Sequence, residues 1–248
     1  MFKIKVFIIS TLSIITVAMG TTLLSRNSMI SNKTMDSNNF DKKVVDTNNT
    51  DKRQLYGTFE IETSWVKDPS ESKNLLQVTK DNAIIKVKVK SIGDAVFFDK
   101  VNGFYNPNPY TPVEVVIEKI VDGQILDNIN TFYLRGGEVK ISDLMKTLDQ
   151  STIKKMEFDT LTKEQQETMY VSYKSEYDYS LKPGEDYVFI VDKNSNDAYT
   201  IVGNGYGVFK VDEETTNAKS ISSEVILKNV LTKKDLTDKN GTVLKLKK

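Results

Sequence analysis

Apolar and polar positions alternate most sharply between residues 181 and 211, LKPGEDYVFIVDKNSNDAYTIVGNGYGVFKV. Pro183 and Gly184 open this stretch, 187–191 is apolar throughout, 192–197 is wholly polar, and 198–202 returns to β-branched and aromatic residues. Two apolar runs around a polar hexapeptide read as a hairpin. A third run, 208–211, follows Gly203, Gly205 and Gly207, so three consecutive strands are expected side by side, with the earlier strands packing against them. One of those earlier strands is 83–89, AIIKVKV, where Ile85, Val87 and Val89 alternate with Lys86, Lys88 and Lys90. This is the pattern of a half-buried strand whose lysines solvate the outer face and guard the edge. Residues 56–61, 113–121 and 129–134 supply further strands, the last two ended by Asp122-Gly123 and Gly136-Gly137.

The period changes between 142 and 178. Ser142 is placed to cap a helix bearing Leu144, Met145 and Leu148, and Thr162 with Gln165 three residues on forms a capping-box pattern for a second helix. Along that second helix Met169, Tyr170, Tyr173 and Tyr177 recur at helical spacing. Such a stripe either docks the helix on a sheet, burying rings while hydroxyls reach water, or forms a platform for carbohydrate. Residues 72–80 read as a short helix or turn, 222–231 as a strand or short helix, and 238–248 as a turn at Asn240-Gly241 followed by a short strand, 243–246.

The N-terminal residues 1–25 carry Lys3 and Lys5 and then an uncharged apolar run, 6–25, matching the ~20 residues that span a bilayer. They read as a signal peptide or a retained membrane anchor, with the following chain outside. Residues 26–55, rich in Asn, Ser, Thr, Asp and Lys, read as a disordered linker. The expected organisation is therefore a leader, a linker, a β domain over 56–231 with a helical insertion at about 142–178, and a C-terminal tail, 232–248.

Composition narrows the chemistry. Of 248 residues, 34 are Lys or Arg and 34 are Asp or Glu, a balance without the basic excess that steers a protein to nucleic acid. Cys and His are both absent, which excludes disulfides, the usual zinc sites, thiol redox chemistry and His-dependent triads. Carboxylate or lysine chemistry survives.

The remaining motifs are weak. Asp192, Asn194 and Asn196 imitate the start of a calcium loop, but Asp197 stands where the turn glycine belongs and Gly203 where the bidentate Glu belongs. Gly203, Gly205 and Gly207 lie between strands, not before a helix as a phosphate loop requires. Ser70 with Lys73 and Ser151 with Lys154 share a Ser-Lys spacing without the other elements of that chemistry. Glu114 and Glu118 share a strand face, where cross-strand pairing with lysines is expected. No catalytic residue, metal ligand or cofactor is assigned. The segment 99–112, with three prolines, reads as a loop whose Phe104, Tyr105 and Tyr110 either stack on a ligand or fold over the barrel mouth.

The phrases IIKVKVKSIGD, TPVEVVIEKIVDGQI, TFYLRGG, LKPGEDYVFIV and YTIVGNGYGVFKV, with G-E-x-Y at residues 184–187, resemble the strands of a loosely defined group of exported Gram-positive proteins. Their pattern in turn looks like the five-stranded oligonucleotide/oligosaccharide-binding (OB) barrel, in the version used by netrin-like and tissue-inhibitor modules. The likeness covers about residues 81–211 and has no counterpart of the disulfides of the eukaryotic modules. It implies a mainly β fold, a small OB-like antiparallel barrel with an inserted helical segment, preceded by the N-terminal hydrophobic leader helix. A fold of this kind serves many tasks. The expected function is extracytoplasmic binding of a protein or a cell-envelope polymer through Phe104, Tyr105 and Tyr110, joined by Tyr170, Tyr173 and Tyr177. Nucleic acid is not an expected partner, and membrane contact is expected only through an uncleaved N-terminal segment. The alternatives are a carboxylate-dependent hydrolase of envelope polymers and a membrane-tethered structural or sensory ectodomain.

Overall fold

A computed structural model describes residues 40–41, 53–77, 81–98, 100–101, 104–105, 107–126, 128–194, 196–211 and 224–247. The expected leader and most of the linker lie outside the described residues. Strands β1 (Phe40–Asp41) and β2 (Gln54–Glu60) precede helix α1 (Ser72–Leu76) and strand β3 (Asn82–Ile92). Three two-residue strands follow, β4 (Val96–Phe97), β5 (Lys100–Val101) and β6 (Phe104–Tyr105), and then β7 (Pro109–Asp122), β8 (Thr131–Arg135) and β9 (Gly137–Lys140). Helices α2 (Ile141–Met145), α3 (Gln150–Lys155) and α4 (Lys163–Thr168) lead into β10 (Met169–Lys174). The chain continues through β11 (Asp186–Lys193), β12 (Tyr199–Ile201), β13 (Val208–Val211), β14 (Glu224–Asn229) and β15 (Lys245–Lys247).

The alternation in β3, β7, β8, β11 and β12 closes a five-stranded barrel. β3 pairs with β7 and β11, β7 with β8, and β11 with β12, all antiparallel, while β8 and β12 close the ring in parallel. The barrel is thus not antiparallel throughout. An odd number of strands in a ring cannot alternate at every step, so one pair has to run parallel. Inward positions at period two, among them Ile85, Val87, Val115, Phe132, Phe189 and Val191, are buried and pack together. Outside, Lys86 pairs with Glu118 and Lys88 with Asp186, each at 2.7 Å. Such exposed pairs contribute at most about 1 kcal/mol each.

The expected meander of three consecutive strands is corrected. β12 and β13 do not pair with each other. They share one edge of β11, β12 opposite 191–193 and β13 opposite Val188 and Phe189. The chain changes over at residues 203–207, where Gly203 has φ +72° and a Cβ on Gly207 would lie 2.1 Å from the Val202 carbonyl oxygen. β13, β14 and β15 extend the sheet and, with α1, enclose Leu75, Leu76, Ile190, Leu227, Leu236 and Leu246. Within the expected C-terminal tail Leu236 and Leu246 are buried and β15 forms the short strand, and 224–229 is a strand.

The inserted helices cover a separate four-stranded sheet in the order β1-β2-β10-β9. Its core holds Phe59, Val139, Ile141, Leu144, Ile153 and Phe158. The capping box forms: Thr162 Oγ1 accepts from Gln165 N at 3.2 Å, and Gln165 Oε1 accepts from Thr162 N at 2.9 Å. Ser142, expected as a cap, instead lies inside α2, which starts after Lys140. The tyrosine helix does not exist. α4 stops at Thr168, and β10 runs between β2, parallel, and β9, antiparallel. Met169, Val171 and Tyr173 are buried at period two, and their β-forming bulk with two ladders of hydrogen bonds outweighs the helical spacing of the tyrosines. The helical segment ends at 168, ten residues before the expected 178.

Among the described residues, no helix is long and apolar enough to cross a membrane.

Candidate functional site

The β7–β8 ladder sets Tyr110 opposite Arg135, Pro112 opposite Tyr133 and Glu114 opposite Thr131. Val113, Val115 and Phe132 belong to the barrel interior, so the alternate residues Tyr110, Tyr133 and Arg135 share the outer face. Pro109 fits because it stands at the first strand position, and Pro112 because it lies beyond the last β3–β7 pair, Ile92 with Val113. Phe98, just after β4, lies over this face. Its ring centroid is 5.3 Å from that of Tyr110 and 5.0 Å from that of Tyr133, the second pair edge-on. Tyr110 is buried beneath, while Phe98 and Tyr133 remain half-buried and open to solvent. Burial raises the Tyr110 phenol above its ordinary pKa, with the Arg135 charge opposing the shift.

Beside this aromatic face a cleft of about 490 Å³ runs between one end of the barrel and the four-stranded sheet. Gly136 and Gly137 let the chain leave β8 for β9 here, with φ +94° and +114°. A Cβ on Gly137 would sit 1.9 Å from Thr111 Oγ1, so any side chain here would have to displace Thr111. Arg135 lines the cleft and donates from Nη1 to Thr63 Oγ1 at 3.2 Å. Burial lowers its pKa, with Tyr110 and Asp178 opposing. Asp178 Oδ1 accepts from the Asn204 amide at 2.8 Å, and Oδ2 accepts from Ser175 N at 2.9 Å. Partial desolvation raises the Asp178 carboxyl pKa against the pull of those bonds, although the residue keeps an exposed side. Arg53 is already engaged: it meets Asp94 at 2.6 Å and Glu138 at 3.5 Å and lies 4.9 Å above the Tyr170 ring.

The residues expected to bind do not form one surface. Tyr110 is on the aromatic face. Phe104 and Tyr105 form β6, paired with β5 within the expected loop, and their side chains lie outside the described residues. Tyr170 is half-buried at the sheet rim, its hydroxyl donating to Asp94 Oδ2 at 3.3 Å. Tyr173 is 2% exposed, its ring packed between Phe59 and Phe97 in the core, and it also belongs to the lining of the cleft. Tyr177 stands apart with Trp65 and Tyr206, at centroid distances of 6.0 and 5.1 Å. Phe98, Tyr133 and Arg135 were missed. The alternation in TFYLR holds a signal for the last two, because placing Phe132 inside puts Tyr133 and Arg135 outside.

Glu114, Glu118 and Glu185 are engaged in bonds within the fold. Glu114 accepts from Ser91 Oγ at 3.0 Å, and Glu185 binds both Lys210 and the Tyr187 hydroxyl. Asn194, in the calcium-like segment, accepts from the Asn196 and Ala198 amides at 2.8 and 3.2 Å, closing the turn itself. Among the described residues, no group of three or more Asp or Glu side chains is arranged to hold a metal ion.

No family model matches the chain, and neither does any curated protein or solved structure.

Proposed function

We propose that this chain is an extracytoplasmic, non-catalytic binding module built on an OB-type barrel, and that it recognises a protein or a cell-envelope polymer. The observation that carries the reading is the partly exposed pair Phe98 and Tyr133 above Tyr110, on the outer face of the second and third barrel strands. In OB barrels that face receives oligosaccharides and oligonucleotides. Rings held edge to face present a rigid apolar surface with little conformational entropy to lose on binding. The even charge balance favours a sugar or peptide surface over nucleic acid.

The test is capture from a cell-envelope extract by the full chain and by a Phe98→Ala, Tyr133→Ala double variant with an unchanged thermal midpoint. The reading expects recovery of the bound material to fall at least ~10-fold, the loss of about 1.4 kcal/mol of binding. Equal recovery by the two proteins removes this face from the account.

A further inference from the structure

The cleft beside the aromatic face has a volume, about 490 Å³, within the range of small-ligand pockets. Its charges are unevenly satisfied. Arg53 is held by Asp94 and Glu138. Arg135 has no carboxylate within salt-bridge distance among the described residues, and its buried Nη2 has no acceptor while Nη1 bonds only Thr63. Of the buried side-chain atoms left without a partner among the described residues, Nη2 alone belongs to a cation. Lys174, exposed at the same cleft, likewise has no ion pair among them. A guanidinium nitrogen removed from water without an acceptor is costly, and such a group calls for an explanation.

We propose that this cleft binds a ligand through a single carboxylate, received by Arg135 with Lys174 as the second positive charge. The planar guanidinium fork matches a carboxylate; because Nη2 is withheld from solvent and Nη1 is held by Thr63, binding requires the Arg135 side chain to turn from Thr63 into the cleft. Glu138 and Asp178 line the same cleft and would repel a dianion such as a phosphate monoester. Asp178 and Asn204 offer polar partners for the rest of the ligand, and Leu134 and Leu181 an apolar wall. A carboxylate of this kind comes either from a peptide chain end or from an acidic sugar. The site uses residues other than the Phe98–Tyr133 pair and stands or falls separately from the reading of that face.

The test is a heteronuclear NMR titration of the full chain at pH 7 with N-acetylalanine and with glucuronate, each against its neutral counterpart, N-acetylalaninamide or glucose. The proposal expects saturable shifts at Gly136, Gly137 and Lys174 with at least one acid, with Kd on the order of 1 mM, and at least ~10-fold weaker binding of the neutral partner. The acid that binds identifies the source; binding of both means that the carboxylate alone is read. Arg135→Gln should abolish the shifts. Because Arg135 is partly buried, two surface variants decide the matter if that one misfolds: Lys174→Ala should weaken binding about threefold, and Asp178→Asn should tighten it by a similar factor. No saturable shift by about 20 mM, equal binding of acids and neutral analogues, or an affinity indifferent to Lys174→Ala and Asp178→Asn would overturn the proposal.

Discussion

Tyr110 and Arg135 stand directly opposite each other in the β7–β8 ladder, so a single register pair joins the aromatic face to the charged cleft. Tyr110 supports Phe98 from beneath, and Arg135 turns toward Thr63 of the segment after β2. Both features depend on the barrel holding that register.

The crossing from β8 to β9 is the first place to test it. Gly137→Ala forces a Cβ to within 1.9 Å of Thr111 Oγ1 at φ +114°. Urea unfolding should show a loss of about 3 kcal/mol. Gly184→Ala supplies the control: φ is +85° but nothing lies within 4 Å of its Cβ, so only about 1 kcal/mol of backbone strain is expected.

Leu236 and Leu246, within residues 232–247, should behave as core. Leu236 is fully buried beside Leu227 and Leu246, so Leu236→Ala should cost about 2–5 kcal/mol. Val243→Ala, at an exposed position, should stay within about 0.5 kcal/mol. Thermal or urea midpoints of the two variants distinguish this from a loose tail, which would make them equal.

Asp149 caps α3, accepting from Ser151 Oγ at 2.6 Å and from Thr152 N and Oγ1, each at 2.9 Å. The Ser151 bond first, then those of Thr152, lower its pKa from 3.8 to about 2. A carboxyl depressed in the folded state stabilises fully above its unfolded pKa and loses that contribution as pH falls through the folded one. The stability gap between wild type and Asp149→Ala should therefore be constant above about pH 5 and shrink between about pH 4 and 2. A gap that widens on acidification would contradict this.

The barrel strands were legible because each carries period-two alternation over a long enough run: Ile85, Val87 and Val89 face inward as their spacing demands. The capping box at Thr162 was legible for the same reason, since its partners are three residues apart. Long-range pairing was not. The spacing of Tyr170, Tyr173 and Tyr177 fits a helix, and only β2 on one side and β9 on the other make that segment a strand. The changeover of β13 onto the edge of β11 depends on Gly203 and Gly207, whose role needs the neighbouring backbone in view. At the site, alternation in TFYLR pointed outward to Tyr133 and Arg135, but Phe98 meets Tyr133 from a segment more than thirty residues away.

The outer face of β7 and β8, with Phe98 above it, is the surface we propose to take the envelope ligand. Hydrogen–deuterium exchange of the full chain, with and without a saturating cell-envelope extract, tests it most directly. Slowed exchange is expected in peptides covering 96–98, 109–114 and 131–135. Protection confined to other segments, with these three unchanged while material is bound, would contradict it.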